Sequence, residues 1–217
     1  DQVEAMDELK VFPSLFPMHT FYWGDWHRET VLGPERAENI SPTGWVRERG
    51  MRFGSHHDAP VALPDSMRVL SATVTRRSRT GVVLGPHQRV SVMDGLRSLT
   101  VWPAWQHFEE ADKGSIEVGK LADFVILSDN PLDVPEDEIA GLQVLETIKE
   151  GRTIYTRPNG EASIAEPAKF GVTIDAAREH GSHPPGMTLV CGDGCFNHAL
   201  SVLHHALTSG NAQESKR

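Results

Sequence analysis

Cysteine is almost absent. Only Cys191 and Cys195 occur among 217 residues, too few for a disulfide framework, so a reducing compartment such as the cytoplasm is the expected setting. No stretch approaches the ~18 consecutive apolar residues of a membrane span, and no basic start followed by an apolar centre marks a secretion signal. Positive charge is scarce as well. Lys and Arg number 21 against 30 Asp and Glu, a formal net charge of -9, which argues against nucleic acid because phosphate binding relies on clustered cations. The one basic cluster, Arg76-Arg77-Ser78-Arg79, reads as a solvated helix end. Gly114 to Gly119 lacks the Gly-Lys-Ser/Thr ending of a phosphate-binding loop. What remains is a chain with 39% hydrophobic residues, enough for a core in one domain or one and a half.

The periodicity predicts alternating helices and strands. Val3, Met6 and Leu9 share one face of a helix over residues 1–10. Val11 to Pro17 reads as a short strand ending near His19. Thr20 to Glu29 carries Phe21, Tyr22, Trp23 and Trp26, read as a loop that covers a site as a lid or substrate wall, or simply packs. Pro34 to Ile40 gives a helix with proline near its start, and Thr43 to Gly50 a helix closed by glycine. Met51 to Ser55 is a strand. Ser66 to Arg76 is a helix with Ser66 as N-cap, and Ser91 to Trp105 another, capped by Ser91 with Asp94 at the capping-box position. Leu121 to Leu127 and Thr147 to Tyr155 are strands, the latter folded at Lys149-Glu150-Gly151-Arg152 into a hairpin. Arg157 to Pro167 reads as a linker, Phe196 to Leu207 as a helix, and Gly210 to Arg217 as a frayed end.

The chemistry-bearing stretch is Gly54-Ser55-His56-His57-Asp58-Ala59-Pro60-Val61. An apolar segment that stops at a carboxylate flanked by imidazoles and then turns at a proline puts ligand-type groups at a strand end. In parallel barrels such ends converge on one mouth. Asp58 could ligate a divalent cation or move protons to and from a metal-bound water; a plain turn aspartate beside proline fits the same residues. Strand alternation lets at most one of His56 and His57 face the mouth with Asp58, and strict alternation selects His56. Cys191, Cys195 and His198 have zinc-type spacing but no second pair at finger spacing; structural cysteines in a glycine turn are the preferred reading.

Four ordered stretches carry a family resemblance. Gly114-Ser115-Ile116-Glu117-Val118-Gly119-Lys120-Leu121-Ala122-Asp123-Phe124-Val125-Ile126-Leu127, continued by Asp129-Asn130-Pro131-Leu132, resembles the C-terminal signature of the amidohydrolase superfamily. Val144 to Tyr155 resembles the strand pair that closes those proteins. Phe16-Pro17-Met18-His19-Thr20 and the Gly54–Val61 stretch resemble the amidohydrolase 3 branch, which includes N-substituted formamide deformylase. The resemblance covers roughly residues 1 to 156.

It implies an α/β fold. Residues 1–112 would be the C-terminal strands and helices of a metal-dependent (β/α)8 TIM barrel, 113–156 part of the small β-sandwich, and 157–217 a linker and α-containing tail. It further implies hydrolysis of a C–N bond in an amide, formamide or cyclic amide, with zinc, one or two divalent ions, as cofactor. Asp58 would be the strand-eight aspartate, on the metal side of the mouth, that takes a proton from the attacking water and returns it to the leaving nitrogen. His19, at the end of strand seven, and His56 would meet the substrate, with Trp23 and Trp26 offering flat apolar surface; Asp25 and His27 are candidates for the same wall. The His-x-His pair, the bridging ligand and the histidines of strands five and six have no counterpart here. The chain therefore reads as the C-terminal part of an enzyme, beginning at Asp1 inside a helix. Most metal ligands and the sandwich's partner strands are expected from a second chain or missing N-terminal portion, with a homo-oligomer as a further possibility. A non-catalytic fragment or structural subunit is the alternative.

Overall fold

The computed structural model describes residues 2–158. The opening helix, α1 (Gln2–Glu8), is shorter than its apolar spacing suggested. Val3 is buried against Val46, Phe53 and Trp102, whereas Leu9 is exposed. The left-handed backbone of Lys10 (φ 56°) turns the chain away before Leu9 can reach the core.

The strand that follows is brief. Only Ser14–Leu15 (β1) pairs, in parallel, with Gly54–Ser55 (β2), in the register Ser14↔Gly54 and Leu15↔Ser55. Backbone bonds from Gly54 N to Pro13 O and from His56 N to Leu15 O extend the pairing on both sides. Parallel neighbours need a long crossover. Here it comprises α2 (Met18–Trp26), a π-turn (His27–Val31), α3 (Gly33–Ala37) and α4 (Thr43–Glu48). The aromatic segment expected as a loop is thus mostly helix. Met18, Thr20 and Gly24 are buried on α2, and Phe21, Tyr22 and Trp23 pack on the core beside Phe16, Val69 and Ala72. Burial of one face outweighs the modest helix propensity of the aromatics and Gly24.

After β2, α5 (Ser66–Thr75) is buried along almost its whole length. Its N-cap is Asp65, one residue before the expected Ser66: the Asp65 carboxylate accepts from Arg68 N at 3.0 Å. The residue that caps its C-terminus corrects a second expectation. Arg76 is not solvated but fully buried. A left-handed backbone (φ 54°) turns it inward, where Nε donates to Leu84 O (2.7 Å), Nη1 to Ser41 O (2.9 Å) and Nη2 to Ile40 O (2.7 Å) and Glu38 O (3.3 Å). Burial pulls its pKa down to about 10, so the guanidinium stays charged at neutral pH. Neighbouring Gly85 must be glycine for the same reason. At φ 57° any Cβ there would sit 1.8 Å from Glu38 O, one of the carbonyls Arg76 holds.

The helix expected over residues 91–105 is two: α6 (Val92–Arg97), capped by Ser91 Oγ accepting from Asp94 N, and α7 (Val101–Gln106). Thr100, at φ -130° and ψ -89°, breaks them.

The remaining strands, β3 (Phe124–Leu127), β4 (Val144–Lys149) and β5 (Arg152–Thr156), form an antiparallel sheet in sequence order. Glu150 and Gly151 both have positive φ, the geometry of the tight hairpin turn expected there. Lys120, in the motif preceding β3, clamps its own loop by donating to Glu110 O and Ser115 Oγ. A 3-10 turn (Glu136–Gly141) inserts Ile139 into the core beside Met67, Leu70 and Val74. Around Ile139, Arg77 pairs with Asp137 and Arg89 with Glu136 at the surface. Among the described residues no helix is long and apolar enough to cross a membrane.

Candidate active site

The ends of β1 and β2 bring the candidate residues together. Continuing the parallel register by one residue sets Phe16 beside His56, and the rings stack with centroids 5.3 Å apart and planes 13° apart. His19, in the first turn of α2, meets the other side of the cluster. Its ring is edge-on to Phe16 (4.4 Å), Trp23 (5.9 Å) and His27 (5.5 Å). His27 enters this group because the helix widens into the π-turn, an irregularity common near functional sites. Its Nδ1 is buried and has no hydrogen-bond partner among the described residues.

The chain after β2 divides its three polar residues. His57 turns onto its own backbone, where Nδ1 accepts from Ala59 N at 3.3 Å. Asp58 is exposed with a left-handed backbone (φ 54°), and its carbonyl accepts from Val61 N to close the turn. Trp23 lies within the aromatic cluster, and Trp26 is exposed against His27. Asp25 does not join the wall, because its carboxylate accepts from Ser78 Oγ at 2.8 Å.

Composition gave no sign of what supports this strand end. Ser55, Thr73 and Ser98 are buried side by side beneath it. Ser98 Oγ lies 3.0 Å and Thr73 Oγ1 3.3 Å from Ser55 Oγ, and both also donate to helix carbonyls, Gly95 O and Val69 O. Ser55 N donates to Ser98 O. A strand residue with a small hydroxyl in a buried position was the available clue, but serine at a strand end reads equally as turn chemistry.

The imidazoles share one electrostatic setting. Burial lowers the pKa of His19, and the nearby His27 and His56 lower it further, against a raising influence from Asp58. His56 is lowered by burial and His57 by burial and His56, again opposed by Asp58. All three rings are thus held neutral in the fold more firmly than in the unfolded chain. Below the unfolded value of 6.5 the unfolded chain binds the extra protons, so stability falls as pH drops through that value toward the folded ones. The melting temperature is expected to decline from pH 8 to pH 5, and a His19→Gln/His56→Gln variant to decline less steeply. Parallel curves for the two proteins would remove these rings from the acid response.

A catalytic metal takes three protein ligands as a rule. Among the described residues no group of three His, Cys, Asp or Glu side chains could hold a metal ion. Cys191, Cys195 and His198, the linker and the tail helix lie outside the described residues.

Two adjacent parallel strands joined through helices make this an α/β protein, with imidazoles and a carboxylate at the strand ends. The amidohydrolase family profile matches residues 1–155, and the chain belongs to that family. It is 29% identical over 161 residues to the N-substituted formamide deformylase of Arthrobacter pascens, covering 72% of this chain and 29% of that protein. It is 22% identical over 129 residues to the putative amidohydrolase YtcJ of Bacillus subtilis, covering 58% of this chain and 24% of that one. Among solved structures, an uncharacterized metal-dependent hydrolase from Pyrococcus horikoshii superposes with a TM-score of 0.52 at 26% identity, over 63% of this chain and 28% of the other. The chain thus spans under a third of the length of these relatives.

Proposed function

We propose that this chain contributes one wall and the proton-handling carboxylate of a metal-dependent hydrolase acting on C–N bonds of an amide, formamide or cyclic amide. The observation that carries this reading is the gathering of His19, His56 and Asp58 at the paired ends of β1 and β2 in a chain of this family. In it, β1 and β2 are neighbouring strands of a (β/α)8 barrel, and β3 to β5 are part of a small β-sandwich. The metal, zinc by preference, would take most of its ligands from polypeptide outside residues 2–158, with Asp58 as the ligand-type group of this chain, and would supply Lewis acidity at the scissile carbonyl.

Within this chain, Asp58 accepts a proton from the attacking water as its oxygen bonds to the carbonyl carbon. The carboxyl then delivers that proton to the nitrogen as the C–N bond breaks. Its exposure on a turn keeps it open to both groups. His19 and His56, neutral at working pH, orient the substrate, and Trp23 and Trp26 take its apolar N-substituent.

The same reading calls for more polypeptide around this one. Phe108, Ile116 and Val118 are almost fully exposed, and Val125 and Ile126 of β3 about half exposed, an apolar surface that a lone chain carries at the risk of association. The native mass of the purified protein, with zinc content and hydrolysis of N-substituted formamides, tests the proposal. A zinc-containing, active particle that holds further amidohydrolase polypeptide is expected. A lone, folded, metal-free and inactive chain would replace this reading with that of a non-catalytic fragment.

A further inference from the structure

Phe16 sits where the two halves of the site meet. It directly follows β1, is buried, and contacts two imidazoles at once: His56 in a near-parallel offset stack (5.3 Å, 13°) and His19 edge-on (4.4 Å, 66°). Offset stacking and edge-to-face contact are the preferred geometries of flat rings. Neither His19 nor His56 has a side-chain hydrogen bond given by the structure, so ring contacts are what orient them.

Phe16 is in turn held from behind. Its carbonyl accepts from Ser41 Oγ at 2.9 Å, across 25 residues of sequence. Ser41 is itself pinned in a left-handed conformation (φ 47°), and its carbonyl accepts from Nη1 of the buried Arg76 at 2.9 Å. A continuous strut therefore runs from Arg76 through Ser41 to the backbone of Phe16, and its ring carries the constraint to the imidazoles.

We propose that Phe16 is the positioning residue of this site, fixing the ring planes of His19 and His56, and that the Arg76–Ser41 strut fixes Phe16. The inference concerns orientation and rests on the proposed function only for its catalytic consequence. It differs from a core-filling role, which any apolar side chain of similar volume would meet.

Proton NMR of the full-length chain, with imidazole resonances assigned by histidine substitution, reads this directly. The wild type should show cross-relaxation between Phe16 ring protons and those of His56, with the His56 ring protons shifted upfield by the stacked face. Phe16→Leu should abolish the upfield shift, Phe16→Tyr should keep it, and Ser41→Ala should reduce it while leaving the circular dichroism spectrum unchanged. In the assembled enzyme Phe16→Leu should lower kcat by about 10²-fold, the cost of a misplacement near 1 Å, with KM little changed and Phe16→Tyr restoring the rate. His56 protons at the same position in folded Phe16→Leu overturn the proposal. Should that variant not fold, absence of Phe16–His56 cross-relaxation in the wild type overturns it equally. Loss of the upfield shift with undiminished hydrolysis would uphold the positioning role and overturn the reading of this cluster as the hydrolytic site.

Discussion

Asp58→Asn is expected to lower hydrolysis by the assembled enzyme by about 10²–10⁴-fold, the range for loss of a positioned general acid–base, with no loss of fold. The contrast in the second half of that statement is what gives the experiment its force. Asp58 has φ 54°, a conformation that Asn and Asp tolerate better than other non-glycine residues. Asparagine therefore keeps the turn, the Val61 N to Asp58 O bond and the side-chain volume, and removes only the ability to take and return a proton. Activity at the wild-type level in the variant would place proton transfer elsewhere and favour the structural-subunit reading. Asp58→Ala is a poorer test, because it also strains the turn.

The largest effect on stability is expected from Arg76→Met. The substitution retains most of the side chain's volume and deletes the guanidinium that four carbonyls share. Hydrogen bonds to a charged group contribute about 1.5–3 kcal/mol each, and a buried acceptor left without a donor costs about 1–3 kcal/mol. The carbonyls of Glu38, Ile40, Ser41 and Leu84 come from two segments also held together by Asn39 with His87 and Gln88 and by Thr43 with Gln88, so the carbonyls stay in place around the lost guanidinium. A loss of about 3–5 kcal/mol is expected, placing the variant among the severe class, and urea denaturation followed by circular dichroism measures it. Arg76→Lys should fall between, since an ammonium cannot span all four acceptors. A loss below about 1 kcal/mol for Arg76→Met would mean that water replaces the guanidinium.

The comparison of sequence with structure turns on these same residues. Period and caps located most elements, because Ser91, Gly151 and the valine- and isoleucine-rich strands act locally. Local signals failed where distant partners decide. Arg76 looks like one more cation in a basic run, and nothing near it in sequence announces carbonyls 35 to 38 residues earlier. Residues 20–29 read as a lid, a substrate wall or a packed loop because of their aromatic density; a helix packed on the core and in ring contacts accounts for the same aromatics. Asp58 stood out in the sequence by its place after an apolar strand, whereas its electrostatic influence on His19 and His56 needed the paired strand ends. Phe16 carries no ionisable or ligating group, and a phenylalanine near a strand end reads as an ordinary core residue.

The 3-10 turn that ties the three-stranded sheet to α5 has a dry centre and a charged rim. Ile139 is fully buried, while the Arg77–Asp137 and Arg89–Glu136 pairs around it are solvent-exposed. The two layers respond to different disturbances. Cooling weakens the apolar centre and leaves the pairs in place; raised ionic strength screens the pairs and leaves the centre in place. The joint between sheet and helices thus keeps one fastening under either stress, and only cold and salt together act on both.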